Sequence, residues 1–164
     1  MTKRIATFGM LVALAFIFSY IETLIPIPLG IPGVKLGLAN VVVFAALYLM
    51  SPWDALAVSL VRMLLVSFTF GNLSTLMYSL AGGLLSFLMM WLCKHFSVFG
   101  KVGVSIIGGI CHNVGQIGVA ALILGPSMFA YLPWLLMAGS VAGAGVGLLG
   151  GYILVRIQKT VGRL

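Results

Sequence analysis

The chain has 164 residues, of which 62% are hydrophobic and 7% charged, with a mean hydropathy of +1.25. A soluble domain of this length needs far more polar surface, so the composition excludes one and describes an integral membrane protein. The net charge of +7 would suggest nucleic acid in a soluble chain. Here the basic residues end apolar segments instead of lining one polar face, which argues for cytoplasmic anchoring and against a nucleic-acid partner.

A membrane span needs about 20 apolar residues. The first predicted span covers 5–25, behind Lys3 and Arg4, and ends at Pro26-Ile27-Pro28. It starts like a secretion signal, but its apolar stretch is about twenty residues long with no cleavage motif after it, so we read a retained span. The second, 36–50, is short enough to lie partly below the membrane surface. The third, 52–68, starts at Pro52-Trp53-Asp54, where a proline suits the first helical turn. The fourth, 73–92, follows a Gly71-Asn72 break. The fifth, 102–124, stops at Gly125-Pro126, and the sixth, 133–157, opens near Pro133-Trp134. The predicted fold is all-α, a single domain over 1–164 with six transmembrane helices in a compact bundle.

Six spans put both termini on one side. Lys3, Arg4, Lys94, Lys101, Arg156, Lys159 and Arg163, seven of the nine basic residues, fall on that side, and only Lys35 lies in an opposite loop. The positive-inside rule makes the termini cytoplasmic and the chain a multi-pass protein of the cell membrane, in contact with lipid. Tyr131 and Trp134 would mark the outer interface, Trp53 and Trp91 the inner one. The external connection 23–34, rich in proline and glycine, is either a lid over the outer mouth or a stiff surface turn.

Arg62 is the ninth basic residue and lies inside an apolar run, ten residues beyond Pro52. That is about 15 Å of helix, near the middle of a hydrocarbon layer about 30 Å thick. A charge there is costly unless solvated or paired, which makes it a functional-site candidate. His112 reaches a similar depth from Lys101, with Asn113 beside it and Gln116 one turn on. Lys35 and Asn40 stand at the start of the second span, and Glu22 near the end of the first. Together, Lys35, Asn40, Arg62, His112, Asn113 and Gln116 could line an outer-half pocket for an anionic or strongly hydrogen-bonding small molecule. The competing reading pairs Arg62 with Glu22 and uses the amides as interhelical glue.

Gly139, Gly143, Gly147 and Gly151 recur every fourth residue and form a packing face on the sixth span. Gly9 and Ala13 make a shorter face on the first, suited to a partner protein. Cys93 and Cys111 are read as free thiols. Neither Cys/His cluster has zinc spacing, no phosphate-binding GxxxxGK[ST] loop is present, and two acids at different depths make no acid–base pair. No metal, cofactor or catalytic residue is expected.

The stretch Gly33-Val34-Lys35-Leu36-Gly37-Leu38-Ala39-Asn40, with Arg62 and His112-Asn113-x-x-Gln116, resembles the Gx transporter family, also labelled heptaprenyl diphosphate synthase component I. That family looks like the substrate-binding, or S, components of energy-coupling factor (ECF) importers. The resemblance implies a six-helix membrane protein with a substrate pocket near the outer face. It also implies that Gly9 and Ala13 dock a transmembrane coupling subunit attached to two ATPases. The synthase label suggests an alternative, a non-catalytic membrane accessory of prenyl diphosphate or quinone biosynthesis. Catalysis itself would need Mg²⁺ on clustered aspartates, which Glu22 and Asp54 cannot supply. A third possibility is a membrane component of quinone- or flavin-linked electron transfer.

Overall fold

A computed structural model describes residues 2–24 and 37–161. Six α-helices follow one another: α1 Thr2–Leu24, α2 Leu38–Leu49, α3 Pro52–Thr69, α4 Leu73–His95, α5 Lys101–Leu124 and α6 Leu132–Val161. A 3-10 turn over Pro126–Tyr131 leads into α6. All of α1, α3, α4, α5 and α6 are long and apolar enough to cross a membrane. The exterior is apolar as well, with Leu122, Phe68, Val141 and Leu73 each more than 70% exposed.

Local chemistry sets the helix ends. Ser51 accepts a hydrogen bond from the Asp54 N–H at 3.2 Å and Pro52 fills the first turn of α3. Asn72 caps α4 by accepting from the Thr75 N–H at 2.8 Å. Gly37, with φ of 79°, is in the left-handed region that only glycine adopts freely, and the chain turns there into α2.

The second predicted span, 36–50, is shorter in the structure. At 12 residues, α2 extends about 18 Å, too little to cross a 30 Å layer. It lies in the core instead, with Ala39 and every residue from Val41 to Leu47 buried, as a helix apolar all round must be. α1, α3 and α6 pack around it.

Both ends of α2 meet a charged side chain from another helix. The Leu38 N–H donates to Glu22 Oε1 of α1 at 2.7 Å. At the other end the Lys94 ammonium of α4 donates to the Leu47 carbonyl and lies 4.8 Å from the Tyr48 ring centroid. Lys94, Lys101, Arg4 and Asp54 gather at this basic end of the bundle, where Arg4 clasps Asp54 through two bonds of 2.6 and 2.8 Å. At the opposite end Phe70, just past α3, packs against Phe16 and Tyr20 of α1.

α5 packs most extensively, against α4 and α6. A Cβ on Gly139, Gly143 or Gly147 would come within 2.7–2.8 Å of α5 backbone at Gly109, Ser105 or Val102. Gly151 meets nothing within 4 Å. Fourfold spacing drifts about 40° per step around a helix, so the fourth glycine has rotated off the α5 face. Gly150 instead makes room for the Phe44 ring of α2.

Gly143→Ala should therefore lower stability by about 1–3 kcal/mol, since backbone cannot yield as a side chain can. Gly151→Ala should be neutral or slightly stabilising. Thermal unfolding of both variants in mild detergent measures the contrast.

Candidate functional site

One cavity of about 90 Å³ lies among all six helices. α1 contributes Ser19 and Glu22, and Gly37 with Asn40 stands at the head of α2. α3 adds Arg62, Met63 and Val66, while α4 adds Ser79, Ser86 and Met90. α5 supplies His112, Asn113 and Gln116 above Ser105, Gly108 and Gly109; α6 closes the wall with Ala138, Gly139, Ala142, Gly143 and Val146. Asn40, Arg62, His112, Asn113 and Gln116, expected to act together, thus line a common space. Lys35 lies outside the described residues.

The α4–α5 and α5–α6 crossings hold the α5 side chains in place. Gly82 of α4 lies directly against the His112 carbonyl, the His112 ring Nδ1 and the Gln116 stem, leaving no room for a Cβ. Gly115 lies as closely on the Ala81 carbonyl. Asn113 is buried and its amide nitrogen donates to the Leu135 carbonyl of α6 at 2.6 Å. That bond orients the amide, leaving the Asn113 side-chain oxygen as its remaining polar atom.

Arg62 is not paired with Glu22. Among the described residues the ion pair is Arg4 with Asp54, and Arg62 and Glu22 share none within 4.0 Å. Arg62 Nη1 instead approaches the buried Ser19 hydroxyl at 3.4 Å, a long contact, while that hydroxyl donates to the Ala15 carbonyl at 2.9 Å. Arg62 Nε is buried with no hydrogen-bond partner. The Asn40 and Gln116 side-chain amides also have no hydrogen bond to the described residues. Polar groups so placed cost free energy unless water or a ligand satisfies them.

Four serines, Ser19, Ser79, Ser86 and Ser105, belong to the lining and were missed by sequence reasoning. A serine is common in membrane helices, and nothing in its spacing separated these from others. Two methionines complete the wall, each on a glycine of the next helix. Met63 Sδ lies 2.7 Å from where a Gly83 Cβ would be, and Met90 lies 2.6 Å from the equivalent point at Gly108.

Gly9 and Ala13 are exposed on α1, and a Cβ on Gly9 would meet nothing within 4 Å. Cys93 and Cys111 are free thiols, the first buried and the second half-buried. Among the described residues no three His, Cys, Asp or Glu side chains gather to hold a metal ion.

The family model described as heptaprenyl diphosphate synthase component I matches residues 11–153, so the chain belongs to that family. Comparison with curated proteins and with solved structures gives no match.

The role of Glu22 in capping α2 separates shape from charge. Glu22→Gln keeps a carbonyl oxygen for the Leu38 N–H and should melt within about 1 kcal/mol of the native protein. Glu22→Ala removes the acceptor and should cost about 1–2 kcal/mol. If Glu22→Gln unfolds as readily as Glu22→Ala in a detergent melt, the charge and not the cap is what matters.

Proposed function

We propose that this member of the heptaprenyl diphosphate synthase component I family is the membrane-embedded binding subunit of a small-molecule importer. Its ligand is polar, with an anionic group, and occupies the cavity between the six helices. The observation that carries this reading is the convergence of uncommitted polar side chains on one internal space in an otherwise apolar bundle. Interhelical glue would use its hydrogen bonds between helices, as Asn113 does with Leu135. Among the described residues, Arg62 Nε, Asn40 and Gln116 make no such bond.

The apolar exterior and five long helices support a multi-pass position in the cell membrane. The basic end, with Arg4, Lys94 and Lys101, is then cytoplasmic and carries both termini. Exposed Tyr131 and Trp134 suit the outer interface, and Trp53 the inner one. Glu22, Gly37 and Asn40 would put the cavity in reach of the outer face.

Energy would come from outside the chain, whose sequence has no nucleotide-binding loop. The Gly9 and Ala13 face suits a transmembrane coupling subunit bearing two ATPases, because exposed small residues let a partner helix approach closely. The family's description favours a second reading, a non-catalytic membrane accessory of prenyl diphosphate synthesis. Arg62 would accept a diphosphate as readily as a carboxylate.

Purification in mild detergent separates the readings. Recovery with a coupling subunit and ATPases supports import, and recovery with a soluble prenyl synthase supports the accessory role. Redox partners would indicate electron transfer instead. A native mass spectrum should show a small molecule retained by the native chain, less by Arg62→Lys and none by Arg62→Gln, because lysine keeps the charge but loses the planar fork. Equal retention by all three proteins would remove Arg62 from the site.

For topology, single cysteines are placed in a chain lacking Cys93 and Cys111. An impermeant maleimide added outside should label Ser127→Cys and not Lys101→Cys. The reverse result would invert the orientation.

A further inference from the structure

The charges facing the cavity are kept apart. Arg62 and Glu22 both line it without forming an ion pair. Each is held by something else. Glu22 gives Oε1 to the Leu38 N–H and keeps its second oxygen as an acceptor. Arg62 has its long contact with Ser19, and its Nε remains buried without a partner.

A ligand that is only an anion would satisfy Arg62 but bring negative charge toward Glu22. One that is only a cation would do the reverse. Specificity arises from such mismatches as much as from good contacts. A molecule with an oxyanion at one point and a hydrogen-bond donor at another meets both demands, and Asn40 and Gln116 can serve the polar atoms between them.

We propose that the site takes a dipolar small molecule. An oxyanion, carboxylate or phosphate, lies against the Arg62 guanidinium, and an ammonium, hydroxyl or N–H group of the same molecule donates to Glu22. This rests on the binding-subunit reading and adds to it the role of Glu22, which then selects the ligand as well as capping α2.

The test uses the purified full chain in detergent with matched four-carbon probes: γ-aminobutyrate, γ-hydroxybutyrate, butyrate, butylamine and, as a free oxyanion, inorganic phosphate. Binding is read from the concentration that half-saturates the rise in melting temperature. γ-Aminobutyrate should half-saturate at a concentration about tenfold lower than butyrate, the scale of one charge-assisted hydrogen bond. γ-Hydroxybutyrate should fall between them. Glu22→Gln should bring γ-aminobutyrate and butyrate to parity while butyrate still binds. Arg62→Gln should abolish the response to every oxyanion.

Parity on the native chain, or an unchanged ratio in Glu22→Gln, overturns the dipolar proposal and leaves the binding-subunit reading standing. So does a response to butyrate or phosphate alone. No response to any probe also overturns it. The binding-subunit reading falls only if native mass spectrometry, in addition, finds no retained molecule. Each variant's melting curve without probe confirms that it is folded.

Discussion

A helix of twelve residues buried among apolar side chains has an unmet need at each end. Its first N–H groups and last carbonyls have no partners within the helix, and the aligned peptide dipoles leave partial positive and negative charge there. At a soluble protein's surface, water meets that need. Around α2 the neighbouring helices must do so, and they use two of the chain's few charged residues. Glu22 sits at the positive end and Lys94 at the negative end, each with the sign that the dipole favours. The rest of the bundle is arranged around that buried helix: α1 must bring Glu22 to its head, and α4 must return to the basic end to place Lys94 at its foot.

The same constraint accounts for where the cavity lies. Because α2 begins only at Leu38, after the left-handed turn at Gly37, the space above its first turn is bounded by Glu22, Gly37 and Asn40. α5 forms the facing wall, clamped between α4 and α6 by crossings too close for a Cβ at Gly82, Gly109 or Gly139. Such crossings leave α5 little freedom to turn, which fixes the direction in which His112 and Gln116 leave the helix.

Much of the fold was legible because helix ends carry local signals. Pro52 behind Ser51, Asn72 after Gly71, and Gly125-Pro126 each lie within a residue or two of an observed boundary. The polar lining was legible for a different reason: Arg62, His112, Asn113 and Gln116 stand out in an apolar chain. What was not legible depends on long-range contact. Nothing local says that Glu22 turns back to a backbone N–H sixteen residues on, or that Arg4 rather than Arg62 takes the chain's other acid, Asp54. The glycine stripe of α6 was readable as a face, but its last member points elsewhere because a fourfold repeat is not the helical repeat.

The methionines on the cavity wall have a consequence for how such a chain could come to accept new molecules. Met63 and Met90 are unbranched and polarisable, and each rests in a notch left by a missing side chain on the neighbouring helix. The shape of the chamber is thus governed partly from behind its own lining. A methyl group at Gly83 or Gly108 would push the thioether inward and shrink the chamber without altering a residue that donates or accepts a hydrogen bond. At Gly83, where the methionine is all that an added methyl would meet, size can then drift through generations while the groups that donate and accept hydrogen bonds stay as they are.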